Sequence, residues 1–313
     1  MSRFEIVNPG VLTTYQDLGR TAMLKYALAA CGAMDQTAVQ LVNLLLENQP
    51  TAAVLEITLT GLTMRALGSG QIAVGGADLG LKINGQEAPR WTILGVKEGD
   101  VIRFNKLNRG VRAYLGVPGG FDAPEILGSR SVYLRGSLGR PLKKGDEIQS
   151  LVQADNTRRT GKKLPDRFIP KRDMTKPFRV LPGPQYDYFS PLGIDVFSST
   201  VYTVSPISDR QGIRTDGQPI ERVKGPDIIT DPTPIGAIQV PGSGLPIILH
   251  RDAQVTGGYA KIGLLCKVDI DRAGQLCPGD QIRFAFVDRQ AALSLLNKQQ
   301  LLLEEAQKAL ASW

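Results

Sequence analysis

The stretch Glu98-Gly99-Asp100-Val101-Ile102-Arg103-Phe104 recurs late in the chain as Pro278-Gly279-Asp280-Gln281-Ile282-Arg283-Phe284, and a shorter copy is Lys144-Gly145-Asp146-Glu147-Ile148. In each copy the Gly-Asp pair favours a tight turn, and the following residues alternate as in a half-buried strand. The two longer copies predict two related β-domains. Independent use of the same turn chemistry is the alternative explanation.

The rest of the chain is typical of a mainly β protein with few helices. The predicted strands are short and rich in β-branched or aliphatic residues, and they cover Ala53–Leu59, Gln71–Val74, Arg112–Val117, Phe178–Leu181, Ile235–Val240, Pro246–Leu249 and Lys261–Val268. One helix is predicted from Asp35, its N-cap, to Leu46, with an apolar stripe through Val39 and Val42. A second helix covers Arg289 to Ala311 and packs either on its own barrel or at a subunit interface.

Length and composition restrict the class of protein. The 313 residues suffice for two domains, and the content of 34 Gly and 20 Pro favours a turn-rich β protein. No apolar run is long enough to span a membrane, and the first ten residues lack the layout of a signal peptide. The three widely spaced Cys without CxxC spacing indicate reduced thiols in a cytoplasmic protein.

The net charge of +7 is concentrated in one segment. Residues 154–177 hold eight Lys or Arg against three Asp, include three Pro and show little apolar periodicity. This composition predicts a solvated linker rather than a nucleic-acid-binding surface. Electrostatic contact with an acidic partner subunit is the alternative.

Short motifs run through both halves of the chain in a fixed order. They are Gly10–Arg20, Gly32–Asp35, Asn43–Asn48, Leu55–Thr58, Gly75–Asp78, Arg112–Gly120, Leu127–Ser131, Ser208–Arg214, Gly236–Pro241, Asp252–Tyr259 and Gln275–Asp280. With these motifs the chain resembles the family of the third subunit of bacterial ATP-dependent 5-oxoprolinase. That family is also called the allophanate hydrolase subunit 2 family and is homologous to a urea carboxylase carboxyltransferase subdomain. The chain departs from the family pattern at Pro118, Gln211 and His250-Arg251.

The resemblance implies a mainly β fold of two cyclophilin-like β-barrel domains, a few short helices and a C-terminal helix. We place the first barrel at residues 1–153, a basic linker at 154–177, the second barrel at 178–288 and the helix at 289–313.

Several kinds of active site are disfavoured by the residues available. His250 is the one histidine of the sequence, so a His-rich metal site is excluded, and we predict no metal site on this chain. No motif resembles a nucleophile elbow or a phosphate loop. Ala22-Met23-Leu24-Lys25 resembles a biotin-attachment site only superficially, so we expect no covalently attached biotin. His250 is expected at a strand end or as a pocket donor beside Asp252.

The remaining candidates are Asp, Arg and glycine-rich segments, which suit an anionic or amide-bearing small molecule. An Asp can act as a base, an Arg can hold a carboxylate at two points, and clustered backbone N–H groups can bind an oxyanion. We therefore predict catalytic roles for Asp17, Asp209 and Asp252, and substrate binding by Arg20, Asp78, Arg210, Arg214, Thr256, Gly257, Gly258 and Tyr259. Structural alternatives stay open: an Asp17–Arg20 turn ion pair, a turn role for Asp78, and a close-packed corner at 256–259.

The predicted site residues are expected to meet at a cleft between the two barrels. Loops over rigid barrels are where sites are usually built, and residues 16–20, 208–210 and 256–259 hold more charge and glycine than strand packing requires. In this arrangement Arg210 faces solvent as an anion clamp. Its loss would weaken substrate binding with little effect on thermal stability.

The family resemblance implies an enzyme subunit that takes part in cleaving 5-oxo-L-proline to L-glutamate with ATP hydrolysis. Its implied partners are the paralogous second subunit of 5-oxoprolinase and a separate hydrolytic subunit, with ATP and Mg²⁺ acting at the level of the complex. We expect neither nucleic acid nor a membrane as partner. Two alternatives stay open, a carboxyltransferase component acting with a separate biotin carrier on an amide, and a regulatory module that antagonises a kinase-inhibiting paralogue.

Overall fold

The computed structural model describes residues 1–152 and 159–311, which form two compact units. Unit 1 comprises Met1–Arg20, Cys31–Lys171 and Leu301–Trp313, and unit 2 comprises Thr21–Ala30 and Arg172–Gln300. The chain is 34% strand and 20% helical, which confirms the predicted mainly β class. The domain boundaries given above stay a prediction.

The strands of unit 1 form two sheets around one core. They are β1 (Arg3–Pro9), β2 (Leu12–Gln16), β3 (Val54–Thr58), β4 (Leu62–Ala66), β5 (Gly70–Asp78), β6 (Leu81–Ile83), β7 (Gln86–Glu87), β8 (Ile93–Val96), β9 (Val101–Phe104), β10 (Arg109–Gly116) and β11 (Glu147–Gln149). One sheet has the order β11-β1-β4-β9-β6-β7 and the other β2-β3-β10-β5-β8. Alternate apolar residues of both sheets fill the core, among them Phe4, Ile57, Ile72 and Ile102.

The first predicted helix is confirmed as α1 (Gln36–Leu45), and Asp35 caps it by accepting from the Ala38 N–H at 3.1 Å. Val42 on α1 packs against β5 and β10. This approach requires small residues beneath the helix, because a Cβ at Gly75 would lie 2.6 Å and one at Gly116 2.7 Å from the Val42 side chain. The helix therefore lies directly on the sheet, which fixes the position of the residues after its carboxyl end.

The strands of unit 2 form a nearly closed barrel sheet and a separate two-stranded ribbon. They are β12 (Phe178–Pro182), β13 (Tyr202–Val204), β14 (Gly212–Asp216), β15 (Asp227–Pro232), β16 (Ala237–Gln239), β17 (Ile247–Leu249), β18 (Thr256–Tyr259), β19 (Lys261–Leu265), β20 (Gln281–Ile282) and β21 (Phe284–Phe286). The large sheet has the order β20-β13-β14-β17-β16-β19-β12-β21, and β15 pairs with β18 in the ribbon. Only Arg283 separates the two end strands in sequence, so the sheet returns on itself.

Three helices follow in the second half: α2 (Pro191–Ser199), α3 (Lys267–Ala273) and α4 (Arg289–Ala311). The predicted strand Lys261–Val268 is too long, because the chain leaves the sheet after Leu265 and α3 includes Val268. The span of α4 is confirmed, but its packing on its own barrel is wrong for its last part, since Ala306 and Leu310 are buried in the core beneath α1. None of the helices in the described ranges is long and apolar enough to cross a membrane.

The three Gly-Asp turns adopt one geometry. Their glycines have φ of +87° at Gly99, +85° at Gly145 and +90° at Gly279, a region that favours glycine. In each turn the Asp carboxylate accepts from the N–H three residues earlier at 2.8 Å, in the pairs Asp100–Lys97, Asp146–Lys143 and Asp280–Cys277. Two of the turns lie within unit 1, so the motif identifies a turn into a strand and does not by itself mark a duplicated domain.

The described part of the predicted solvated linker is folded onto unit 1, which corrects that prediction for residues 159–169. Leu164 and Phe168 are buried in the core beneath α1. Lys162 is 4% exposed, and its Nζ donates to Glu47 Oε1 at 3.0 Å. Charge composition concealed this packing, because a lysine stem can cover apolar surface while its ammonium group finds a specific partner. Residues 154–158 lie outside the described residues.

Replacing Lys162 with Met is expected to lower the free energy of unfolding by about 1–3 kcal/mol, because it removes a charged donor from the buried side of an ion pair. Urea titration followed by far-UV circular dichroism measures this loss. Lys163→Met is the matched control, since the Lys163–Asp166 pair is solvent-exposed and should contribute less than about 1 kcal/mol. Equal effects of the two substitutions would restore the solvated-linker interpretation.

Candidate functional site

A cavity of about 680 Å³ lies in unit 1 where the chain leaves α1. This volume is in the range of small-molecule sites. The polar lining combines acidic, basic and amide groups, namely Asp17, Glu47, Asn48, Gln49, Gln71, Glu125, Ser129, Arg130 and Arg159. Of the residues predicted from sequence, Asp17 is the one in this lining.

Glu47 lies immediately after the C-cap of α1 in a left-handed conformation, with φ of +57°. Such a conformation is uncommon for a residue with a side chain. Its carboxylate receives two cations: Arg159 Nη2 lies 2.6 Å from Oε2, and Lys162 Nζ lies 3.0 Å from Oε1. The Gln71 amide donates to Thr160 Oγ1 at 3.0 Å in the same region. These contacts fix residues 159–162 to the cavity wall.

Asp17 organises the opposite wall of the cavity. Its Oδ1 accepts from Gly19 N at 2.7 Å, Ser129 Oγ at 2.6 Å and Ser131 Oγ at 2.5 Å, and its Oδ2 accepts from Arg130 N at 2.7 Å. The residue is 7% exposed. Four donors surround one carboxylate, so its acceptor capacity is committed to ordering the 129–131 segment. The predicted role as a base stays a prediction, and it would require one of these donors to be exchanged.

Arg20 is buried beside this network and does not pair with Asp17 as the turn alternative expected. Its Nη2 donates to the Ser131 carbonyl at 2.5 Å and its Nε to the Ile126 carbonyl at 3.3 Å. Its Nη1 is buried and has no hydrogen-bond partner among the described residues. Arg20 thus holds the same 126–131 segment as Asp17, from its backbone side.

Asp78 lies apart from this cavity, at the end of β5. Its Oδ1 accepts from Gly80 N at 3.1 Å and lies 3.8 Å from Arg90 Nε. Asp78 and Arg90 line a different cavity of about 370 Å³. Burial lowers the pKa of the Arg90 guanidinium, and the Asp78 carboxylate opposes this shift. The geometry fits the turn role that the sequence left open for Asp78.

Asp252 and Arg210 form a buried two-point ion pair in unit 2. Arg210 Nε lies 2.9 Å from Asp252 Oδ2, and Nη2 lies 3.0 Å from Oδ1. Both side chains are less than a tenth exposed, and Asp252 N donates to the Arg210 carbonyl at 3.0 Å. The expectation that Arg210 faces solvent is therefore wrong, because its planar fork already holds a carboxylate of this chain.

The neighbouring candidates differ from this pair in exposure. Asp209 Oδ1 accepts from the N–H groups of Gln211 and Gly212 at 2.8 and 3.1 Å, which is a local turn contact. The Arg214 side chain is exposed on β14. Arg210 and Asp252 are thus buried together, whereas Arg214 lies on the surface.

Residues Thr256–Tyr259 form the strand β18 rather than a loop. In the ribbon, Asp231 of β15 is in register with Gly257, and Asp227 with Tyr259. Both glycines are half-buried, and Thr256 and Tyr259 are exposed. The donor-rich segment predicted from sequence is therefore an edge ribbon with part of its backbone already paired.

The predicted site residues fall into separate groups. Asp17, Arg20 and Asp78 belong to unit 1, and the remaining eight belong to unit 2. Their convergence at one cleft and their catalytic and binding roles stay predictions. His250 is buried after β17, with Nε2 2.9 Å from the Ile270 carbonyl and Nδ1 accepting from Arg251 N at 2.9 Å. Both ring nitrogens are occupied by backbone groups, which confirms the predicted strand-end position.

Sequence reasoning missed Glu47, Gln71 and Arg130 as parts of the cavity. Glu47 and Arg130 lie inside the motifs Asn43–Asn48 and Leu127–Ser131, so the motifs themselves carried the signal. Gln71 lies within a predicted strand, where alternation gives no information about function. The charge-rich segment also concealed Arg159, because it was interpreted by composition alone.

Residues 26–286 match the family described as the carboxyltransferase domain, subdomain A and B. The chain belongs to this carboxyltransferase family. The third subunit of 5-oxoprolinase from Escherichia coli (strain K12) is 32% identical over 306 residues, which cover 96% of each chain. The same 5-oxoprolinase subunit from Haemophilus influenzae is 31% identical over 299 residues and 94% of each chain.

A solved structure extends the carboxyltransferase relationship. The crystal structure of the K. lactis urea amidolyase superposes with a TM-score of 0.89 at 28% sequence identity. The superposition covers 97% of this chain and 20% of that chain. This carboxyltransferase-family chain therefore spans about a fifth of the length of that structural relative.

Proposed function

We propose that this chain belongs to a cytoplasmic, ATP-dependent 5-oxoprolinase complex that cleaves 5-oxo-L-proline to L-glutamate. The observation that carries the proposal is the match to the third 5-oxoprolinase subunit of Escherichia coli, which covers 96% of both chains. The partners proposed with it are the paralogous second subunit of 5-oxoprolinase and the hydrolytic subunit.

The polar lining of the 680 Å³ cavity supports a small polar amide as ligand. 5-Oxo-L-proline offers a carboxylate, a lactam carbonyl and a lactam N–H. Arg130 is suited to the carboxylate, while the amides of Asn48 and Gln71 can donate to or accept from the lactam. The sequence holds no phosphate loop, so we place the ATP and Mg²⁺ requirement at the level of the complex.

Reconstitution tests this proposal. The isolated chain should release little ADP with 5-oxo-L-proline, whereas its mixture with the paralogous and hydrolytic subunits should release L-glutamate and ADP in equal amounts. Omitting this chain from the mixture and omitting 5-oxo-L-proline are the two controls. Full activity of the isolated chain, or full activity of the mixture without it, would contradict the proposal.

A biotin-dependent carboxyltransferase component acting on an amide is the second candidate, favoured by the family match over residues 26–286. The two functions differ in their requirements. Carboxyl transfer from biotin would need a separate biotin carrier and bicarbonate, and avidin would inhibit it. The 5-oxoprolinase reaction needs neither and should be unaffected by avidin.

A further inference from the structure

Unit 2 buries a lysine beside an amide on neighbouring strands. Lys261 of β19 is 1% exposed and Gln239 of β16 is 2% exposed. The two residues are direct partners in the antiparallel ladder. Direct partners project from the same face of a sheet with their Cβ atoms about 5 Å apart. The ammonium and amide groups therefore lie together beneath one surface of the barrel sheet.

These two side chains carry donors that the described residues do not satisfy. Gln239 Nε2 is buried and has no hydrogen-bond partner there. Lys261 Nζ has three hydrogens to donate, and its one side-chain contact in the described structure is with Asp231 Oδ2 at 2.8 Å. Buried donors in native proteins are nearly always paired. The unused donors indicate a place where an acceptor from another molecule binds.

The β15–β18 ribbon leaves this place open to a small group. A Cβ at Gly257 would lie 2.7 Å from Gln239 Nε2, so the glycine is required beside the amide. Gly258 has open space around it, since the nearest atom to a Cβ placed there, the Ile228 carbonyl oxygen, would be 3.6 Å away. The Asp231 side chain is 41% exposed, so the Lys261–Asp231 pair extends from the interior to the surface.

Acceptor groups complete the cluster. The hydrogen bond from Lys261 lowers the pKa of Asp231, which keeps this carboxylate ionised. Gln185 Oε1 accepts from the Lys261 backbone N–H at 3.2 Å, and Gln185 Nε2 lies 3.5 Å from Asp231 Oδ2. Lys261 and Asp231 together are electrically neutral. A neutral ligand with its own acceptor and donor therefore fits better than a second carboxylate, which would leave a net negative charge.

We propose that Lys261, Gln239 and Asp231 form a binding site for the amide group of a small molecule. The amide oxygen accepts from Lys261 Nζ and Gln239 Nε2, and the amide N–H donates to Asp231. This site lies in unit 2 and is built from other residues than the 680 Å³ cavity of unit 1. The inference deepens the proposed function, on which its choice of ligand class rests.

Calorimetric titration of the full chain with pyrrolidin-2-one, 5-oxo-L-proline and acetate tests the site. Pyrrolidin-2-one is a lactam without a carboxylate, and acetate is a carboxylate without an N–H. We expect both lactams to bind and acetate not to bind. Lys261→Met should weaken lactam binding by at least about tenfold, since it removes a charged donor. Lys224→Met is the matched control, because Lys224 forms an exposed pair with Asp187, and it should leave binding unchanged.

Gln239→Leu separates a binding role from a structural one. An unpartnered buried amide contributes nothing to folding, so its replacement by an apolar group of similar size should leave the melting temperature unchanged or raise it. Lactam binding should nevertheless fall by about three- to tenfold, the effect of one neutral hydrogen bond. A loss of melting temperature with unchanged binding would show a structural role and overturn the proposal.

Failure of this inference and failure of the proposed function give different results. A complex that hydrolyses 5-oxo-L-proline, together with Lys261→Met and Gln239→Leu chains that bind lactams like the parent, overturns the site and leaves the function standing. A reconstituted complex that is inactive on 5-oxo-L-proline, with lactam binding that depends on Lys261, does the reverse. Absence of saturable lactam binding, or binding of acetate alone, overturns the site.

Discussion

Arg210→Ala is expected to lower the free energy of unfolding by about 3–5 kcal/mol, because it leaves the Asp252 carboxylate buried without its cation. The pair has two short contacts, and both side chains are less than a tenth exposed. This expectation reverses the one drawn from sequence, in which Arg210 faced solvent. Urea titration by circular dichroism measures the loss, and faster hydrogen exchange at the Asp252 N–H, which donates to the Arg210 carbonyl, would locate it.

Three further variants make the Arg210 prediction specific. Arg214→Ala is the matched control, since this arginine is exposed on the following strand and should change stability by less than about 0.5 kcal/mol. Arg210→Lys should recover part of the loss, because an ammonium group cannot reproduce the planar fork. The double variant Arg210→Ala with Asp252→Ala should be more stable than Arg210→Ala alone, since it removes the unpaired charge. A double variant that is no more stable would contradict this account.

Local features of the fold were predictable from sequence. Asp35 as a cap, the stripe through Val42 and the Gly-Asp turns each depend on residues close together in the chain, where propensity and spacing carry information. The end of β19 was not, because Val268 is β-branched but begins a helix whose Asp269 receives Arg179 in a two-point contact at 2.7 and 2.9 Å. Tertiary contacts there outweighed strand propensity.

The candidate sites were harder to predict, because they depend on partners far apart in the chain. Nothing near Arg210 in sequence shows that Asp252 occupies its guanidinium, and nothing near Lys162 shows that Glu47 binds it. Lys261 resembles any lysine on a strand until its ladder partner Gln239 is known. Composition assigned these charges to solvent, whereas burial gave two of them a specific counter-ion and exposed the donors of the third as incompletely used.

Asp17→Asn is expected to lower the free energy of unfolding by about 2–3 kcal/mol, the effect of losing a hydrogen bond to a charged group and placing two donors face to face. One amide position must face the Arg130 N–H, which now donates to Oδ2 at 2.7 Å. The other position keeps the contacts of Oδ1. Hydrogen exchange at the Arg130 and Gly19 amides should become faster, because the carboxylate that orders both is no longer there.

The same variant separates an ordering role of Asp17 from the predicted catalytic one. If Asp17 orders the cavity wall, the activity of the reconstituted complex should follow the folded fraction of this chain as temperature is raised. Asp122→Asn is the matched control, because Asp122 is exposed and its carboxylate accepts a longer hydrogen bond, from Gln149 Nε2 at 3.2 Å. An Asp17→Asn chain with parental stability and protected amides, but activity lowered by about a hundredfold or more, would instead identify Asp17 as a general base.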